Sequence, residues 1–263
     1  MLMNFLNKKE KKLSKNFLNN GYIICKSENT NSLNFILKLL NESIKNYLSI
    51  KKNINLNKIH EYISIENLND FRLKVIKDLN NNEMLRQNYF HIARNHLFTL
   101  AGNELMMQRN INLSIQYPND PNSLLPVHSD VWSGDSPYEI NLWLPLVNCY
   151  KTKSMYLLTQ DKYRYLKKKI NTKKNNSSSK IFKIISNDIK WINIKKGSFM
   201  IFNQSLPHGN VVNKEKETRW SMNCRFKSIF SPYVDKKIGE FFLPITTRAA
   251  TEIGMNYKLP FKK

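Results

Sequence analysis

Two histidines and one aspartate have the types and spacing for metal chemistry. In Pro126-Val127-His128-Ser129-Asp130 an imidazole and a carboxylate lie two positions apart. At the end of an extended strand, residues i and i+2 point the same way, so His128 and Asp130 share a face. A third donor comes at Leu206-Pro207-His208-Gly209-Asn210, 80 residues beyond His128. Two imidazoles and one carboxylate form the facial set that binds Fe(II) and leaves its other positions open. A fourth protein ligand would close them. His128, Asp130 and His208 are therefore the candidate metal ligands and, through the metal, the candidate catalytic residues; the bland alternative is a structural polar cluster. Arg219 lies 11 residues beyond His208, with Ser221 two residues on. A guanidinium offers a planar fork to a carboxylate, and a hydroxyl on the same strand face can add a hydrogen bond. The alternative is an ordinary strand with exposed Arg219 and Ser221.

These residues need strands to position them, and the second half of the chain has strand periodicity. Ile111, Leu113, Ile115 and Tyr117 alternate with Asn112, Ser114 and Gln116, and Pro118-Asn119-Asp120-Pro121-Asn122-Ser123 reads as a turn. Residues 138–147 put Glu139, Asn141 and Trp143 on one face and Ile140, Leu142 and Leu144 on the other. Residues 155–158, 181–185, 190–194, 198–203 and 208–213 read as further strands. Residues 219–229 close the set, with Arg219, Ser221, Asn223 and Arg225 on one face and Trp220, Met222, Cys224 and Phe226 on the other. The stretch 159–180, with Lys167-Lys168-Lys169 and a Ser-rich run, reads as a solvated loop or a mobile lid.

The first third reads as helical. Residues 1–20 are a polar, Lys-rich start or short helix, and residues 21–25 a short strand. Leu33, Ile36, Leu37, Leu40, Ile44, Tyr47 and Leu48 recur at helical spacing, with Asn31 or Ser32 available as the cap. Residues 58–64, 68–79 and 82–100 continue the pattern. His60, His91 and His96 fall in this text and read as packing or surface residues. About eight short strands after a helical lead-in predict a mainly β jelly roll, a cupin-like double-stranded β-helix. The expected organisation is one domain, with a helical layer over 1–108, the jelly-roll core over 109–230 and a C-terminal extension over 231–263.

The 263 residues suffice for one large domain, and an apolar content of 41% is that of a soluble globule. No stretch approaches the roughly 20 apolar residues of a membrane span, and the N-terminus has no apolar signal-peptide segment. Cys25, Cys149 and Cys224 have neither disulfide nor thiolate-zinc spacing. A reduced, cytoplasmic protein is expected. The net charge of +22 is mostly Lys, accompanied by Asn and Ile, all residues of AT-rich codons. The charges are spread out rather than gathered beside stacking aromatics, so neither a nucleic-acid nor a membrane partner is expected.

The order His-x-Asp, a distant His and an Arg 11 residues on resembles the Fe(II)/2-oxoglutarate-dependent oxygenases, over residues 110–230. It looks like their phytanoyl-CoA dioxygenase-like branch. Val127-His128-Ser129-Asp130-Val131-Trp132-Ser133-Gly134-Asp135-Ser136-Pro137-Tyr138-Glu139 and Arg219-Trp220-Ser221-Met222-Asn223-Cys224-Arg225-Phe226 resemble a group found with bacterial carbohydrate or aminoglycoside biosynthesis clusters. The resemblance implies Fe(II), 2-oxoglutarate as co-substrate, O2, and oxidation of a C–H bond in a small, sugar-containing molecule. Arg219 and Ser221 then hold the far carboxylate of the oxoacid. Asn210, which alternates with His208, and Trp143 are further candidates for the oxoacid pocket. Trp132, Asn141 and Arg225, with Tyr138, are candidates for the substrate side, where the aromatics would stack on a sugar ring. The Gly-rich segment of the wider branch, ending in Gly-Ser-His, is replaced by Lys153-Ser154-Met155-Tyr156-Leu157-Leu158-Thr159-Gln160, which argues against a lipid-CoA substrate. The positive balance suits an anionic or nucleotide-linked sugar, although compositional bias explains it as well. Three other readings share part of the pattern: a cupin-like metal enzyme without the oxoacid, a non-catalytic carbohydrate-binding jelly roll, and a basic RNA-binding protein.

Overall fold

A computed structural model describes residues 5–170 and 177–260. The chain enters through α1 (Lys8–Asn20), closed at its N-terminus by an Asn7–Glu10 capping box. β1 (Tyr22–Lys26) leads to α2 (Thr30–Leu48). The cap of α2 is Asn29 rather than Asn31 or Ser32: its backbone is extended, and its side chain accepts from the Ser32 amide at 2.9 Å. A 3-10 turn (Leu56–Glu61) takes the place of the helix expected over 58–64. After α3 (Leu68–Asn80), the long helix expected over 82–100 is two, α4 (Met84–His91) and α5 (Arg94–Ala101). The break has a cause distant in sequence: the Glu28 carboxylate accepts from the Asn95 and His96 amides and so caps a new helix there.

The strands follow as β2 (Leu105–Gln108), β3 (Asn112–Gln116), β4 (Ile140–Pro145) and β5 (Tyr156–Leu158). Next come α6 (Gln160–Ile170), α7 (Ser178–Ile185), β6 (Ile189–Trp191), β7 (Ser198–Asn203), β8 (His208–Gly209), β9 (Arg219–Ser228), β10 (Phe242–Pro244) and α8 (Ala249–Asn256). Helices are thus not confined to the N-terminal third. The 159–180 stretch is no passive loop on its described residues, and 181–185 is helical rather than a strand. Leu166 and Ile170, and Ile181 and Ile185, are buried at i, i+4 spacing against Val127, Tyr156 and Leu158. Tyr163 and Phe182 add partly buried contacts to the same cluster, so a few apolar positions seat each helix among its polar residues. The rest of the suspected lid, 171–176, lies outside the described residues.

All strand pairs are antiparallel. Among the described residues seven strands make one sheet, in the order β1-β7-β4-β9-β2-β10 with β3 also on β9; β6-β5-β8 make a second. β9 is long enough to serve two neighbours on one edge: its first half pairs with β3 and its last residues with β2. On the other edge it pairs with β4. One continuous apolar core joins α2, α3 and α4 to the outward face of this sheet, through Ile36, Leu40, Phe71, Tyr89, Leu142, Trp220 and Met222. Two buried hydrogen bonds fix the layers to each other: Tyr89 Oη donates to Leu142 O at 2.8 Å and Trp220 Nε1 to Leu56 O at 2.9 Å. Among the described residues no helix is long and apolar enough to cross a membrane.

The helical layer carries its own pH dependence. His96 sits beside Cys25 and Glu28, and hydrogen bonds from its ring to the Cys25 sulfur and the Glu28 carboxylate outweigh burial and raise its pKa to about 9. A raised folded-state pKa means that the stabilisation is complete below the unfolded value near 6.5 and is lost as pH rises through about 9. Unfolding free energy is expected to fall by about 1–2 kcal/mol between pH 6 and pH 9.5, a figure reduced from the full linkage because the pair is partly solvated. Denaturant titrations of the wild type and His96→Gln check this; a slope that persists in the variant contradicts it.

Candidate metal centre and oxoacid pocket

The long β9 makes one wall of the site. Its period of two points Arg219, Ser221, Asn223 and Arg225 into a cavity of about 510 Å³. The neighbouring strands add Asn112 and Ser114 from β3 and Asn141 and Trp143 from β4 to the same space. Trp220, Met222, Cys224 and Phe226 face the core.

The other wall is the connection from β3 to β4, docked on β8. His128 and His208 exchange backbone hydrogen bonds, N–H to O at 3.0 and 2.8 Å. The bridge brings their rings to 4.3 Å between centroids. Each Nδ1 sits 2.8 Å from a carbonyl two residues upstream, Pro126 O for His128 and Leu206 O for His208. Those carbonyls need a donor, so they hold the proton on Nδ1 and leave the Nε2 lone pairs facing inward. Asp130 completes the group: its Oδ1 is 3.4 Å from His128 Nε2 and 3.7 Å from His208 Nε2. One donor atom from each residue falls within 4.8 Å of the others.

Two glycines make this approach feasible. A Cβ on Gly209, next to His208, would lie 2.8 Å from both Leu125 O and Tyr156 Oη. Gly134 ends the 3-10 turn Asp130–Ser133 with φ of 87°, and a Cβ there would lie 2.0 Å from Asp235 Oδ2. Gly134→Ala is expected to cost about 1–3 kcal/mol, from left-handed backbone strain together with this clash. A urea midpoint unchanged from wild type contradicts that reading.

The electrostatics suit a cation. Burial alone would raise the Asp130 carboxyl, but the neighbouring His128, His208 and Arg225 bring it down to about 2, so it is ionised at pH 7. Burial, aided by His128, lowers His208 to about 4 against the pull of Asp130, so its imidazole is neutral at pH 7. A deprotonated carboxylate and imidazoles with free Nε2 atoms are the forms that ligate metal. Arg225 Nη2 lies 3.0 Å from the other carboxylate oxygen, Asp130 Oδ2, which leaves Oδ1 turned toward the histidines. Gln204 braces the arrangement: its carbonyl accepts from the Asp130 amide at 3.1 Å and its Oε1 from Arg225 Nε at 2.9 Å.

Arg219 is the second unusual group. Its guanidinium is buried, yet among the described residues its hydrogen bonds are only two, Nη1 to Ser154 O at 3.3 Å and Nη2 to Ser114 Oγ at 2.8 Å. Nε has no partner, and no carboxylate of the described residues lies within ion-pair distance. Burial lowers its pKa to about 10, with the Cys149 sulfur as a small counterweight, so it remains a cation at neutral pH. A buried cation without an anion is costly, and a carboxylate-bearing ligand relieves that cost. The donor set therefore fits Fe(II), and the orphaned fork fits the far carboxylate of an oxoacid. Ser221, buried beside it on the same strand face, also lines the cavity.

Two expectations need correction. Asn210 borders the cavity, but its Oδ1 accepts from the Leu125 amide at 2.6 Å and its Nδ2 reaches Ser123 O at 3.4 Å, so its amide braces the 123–125 segment. Trp132 is 43% and Tyr138 59% exposed, and neither lines the cavity; the 3-10 turn after Asp130 carries Trp132 outward and presents Ser133 instead. Arg225, a substrate-side candidate, lines the cavity and also pairs with the buried Asp130 carboxylate. Asp135, Arg72 and Lys236 also line the cavity and carried no assignment from sequence. For Asp135 the available signal was Gly134, whose turn brings the chain back.

No protein-family model matches the chain, and no curated protein is similar to it in sequence. Solved structures are similar in fold. The apo form of ThoJ, a non-heme monooxygenase, superposes with a TM-score of 0.60 at 11% identity, over 90% of this chain and 84% of that one. The epimerase SnoN, in complex with Fe3+, alpha ketoglutarate and nogalamycin RO, gives 0.54 at 12% identity, over 86% of each chain. EctD from S. alaskensis, in its apoform, gives 0.54 at 12% identity, over 84% and 78%. The chain shares the fold of these three proteins.

Proposed function

We propose that this protein is a non-haem iron, 2-oxoglutarate-dependent oxygenase built on a single double-stranded β-helix domain. His128, Asp130 and His208 hold Fe(II), and Arg219 with Ser221 holds the far carboxylate of 2-oxoglutarate. The observation that carries the reading is the pairing of a three-donor open site with a buried, anion-less arginine in one cavity. A three-donor cluster by itself fits many metal sites, and a buried arginine by itself fits many anion sites. Together they match a metal and a dicarboxylate bound side by side. The similar structures of iron enzymes, one of them holding iron and alpha ketoglutarate, support it. Bound iron, with the oxoacid and O2, supplies oxidation of a C–H bond as the oxoacid is decarboxylated to succinate and carbon dioxide.

The chain's own residues have four tasks. The Pro126 and Leu206 carbonyls keep protons off the ligating nitrogens. Arg225 holds Asp130 in its one-oxygen orientation. Arg219 orients the oxoacid through a bidentate contact, and its burial excludes competing water. Trp143, with Met155 and Phe202, gives the cavity an apolar wall. The substrate we propose is small and sugar-containing, and hydroxylation is the outcome we favour, in the cytoplasm. Arg72 and Lys236 on the cavity wall support a substrate with an anionic substituent.

Succinate formation tests the assignment. Aerobic protein with Fe(II), 2-oxoglutarate and ascorbate, which takes up the oxidising equivalents when no substrate is present, is expected to release succinate slowly, and His208→Ala to release none. Succinate production that does not depend on iron, or none at all from iron-loaded protein, counts against it. A cupin-like enzyme without the oxoacid would keep the triad and be indifferent to Arg219, and the unpartnered Nε of that residue speaks against it.

A further inference from the structure

Among the described residues three buried acceptors in the cavity make no hydrogen bond. One, Asp130 Oδ2, has the Arg225 guanidinium at 3.0 Å; the other two, Asp135 Oδ1 and Asn141 Oδ1, have no such close donor, in residues only 4% and 3% exposed. Each such atom costs about 1–3 kcal/mol while unmet. The nearest cation does not meet the need. Arg225 Nε is 3.7 Å from Asp135 Oδ1 and already donates to Gln204 Oε1 at 2.9 Å. Asn141 lies across from Arg225 in the β4–β9 register. Both acceptors therefore flank the guanidinium that grips Asp130, next to the metal ligand. Arg225 is six residues along β9 from Arg219, roughly 20 Å of strand, so this place is distinct from the oxoacid fork.

We propose that Asp135 and Asn141 form the substrate subsite, receiving neighbouring hydroxyl groups of a polyhydroxylated, sugar-like molecule beside the metal. The proposal rests on the oxygenase reading and names the substrate chemistry of that site. An ammonium group would also donate, but the field opposes it. Arg72, Arg219, Arg225 and Lys236 line the cavity against two carboxylates, Asp130 and Asp135, and a bound divalent metal adds to the positive side. Neutral hydroxyl donors satisfy both acceptors without meeting that repulsion. A hydroxyl can also accept in return from the Asn141 amide, which an ammonium cannot.

The test is saturation-transfer NMR on the full chain loaded with Zn(II) and 2-oxoglutarate. The probes are glucose 6-phosphate, mannose 6-phosphate and galactose 6-phosphate, with cyclohexyl phosphate as the hydroxyl-free comparator. Transfer to at least one hexose phosphate, and weaker transfer to cyclohexyl phosphate, is expected. Asp135→Leu and Asn141→Leu should each weaken the hexose phosphate by about tenfold, the effect of one buried hydrogen bond, while transfer to 2-oxoglutarate stays at the wild-type level. Asp135→Asn keeps an acceptor of the same shape and should remain within a few-fold of wild type, which guards against a leucine variant that fails to fold. The subsite is overturned if no hexose phosphate binds better than cyclohexyl phosphate, or if folded leucine variants bind as tightly as wild type. Absence of transfer to 2-oxoglutarate in the wild type is a different failure: it sinks the oxygenase reading and the subsite with it.

Discussion

Arg219→Met is expected to weaken 2-oxoglutarate binding by about 100- to 1,000-fold and to leave metal affinity within a few-fold. The magnitude follows from a charged, bidentate contact made in a buried site, worth about 3–4 kcal/mol when one partner is removed. The split follows from position: among the described residues Arg219 bonds to Ser114 and Ser154, and it forms no ion pair with Asp130. The same substitution should leave the ligand-free protein as stable as wild type or slightly more so, because it replaces an unpaired buried cation with an apolar side chain of similar length. Calorimetric titration of 2-oxoglutarate into metal-loaded protein, with thermal melts of the apo forms, checks both parts. Unchanged oxoacid affinity would assign Arg219 a purely structural role.

His208→Ala should abolish stoichiometric metal binding and, with it, succinate formation. Among the described residues His128, Asp130 and His208 are the only group of three with ligand atoms within 4.8 Å of one another, and the variant leaves two. The loss should far exceed that in Arg225→Leu, which frees Asp130 Oδ2 but keeps all three ligands; altering such an outer partner costs roughly 10–100-fold in metal affinity. His60→Gln is the control. Its Nδ1 faces Thr218 Oγ1 at 2.8 Å in the helical layer, and the variant should bind metal normally. Full metal occupancy in His208→Ala by elemental analysis contradicts the ligand assignment.

The parts of the site legible in sequence are those governed by local geometry. Alternation alone put Arg219, Ser221, Asn223 and Arg225 on one face of β9, and Asn141 with Trp143 on one face of β4. The His-x-Asp pair with a distant His gave a set of ligand types that few structural clusters share. What alternation does not carry is the partner of each side chain. Arg225 had the correct face, but its pairing with Asp130 joins residues 95 apart and depends on how the β3–β4 connection docks. Trp132 has the residue type for stacking on a sugar, and one 3-10 turn carries it into solvent. In the fold, α6 and α7 were hidden because a few apolar positions among lysines and serines seat the two helices on a cluster formed by distant strands. The break between α4 and α5 depended on Glu28, far upstream, which no local window around residue 92 contains.

The most direct measurement is an anaerobic titration of metal-free protein with Fe(II) and then 2-oxoglutarate, followed by visible absorption. Iron chelated by the oxoacid on an open facial site should give a weak charge-transfer band near roughly 500–530 nm, saturating at one oxoacid per iron. The band should be absent in His208→Ala, and in Arg219→Met it should need far more oxoacid to develop. Stoichiometric iron binding with no band at saturating 2-oxoglutarate would contradict the oxygenase assignment and leave a metal site that serves some other chemistry.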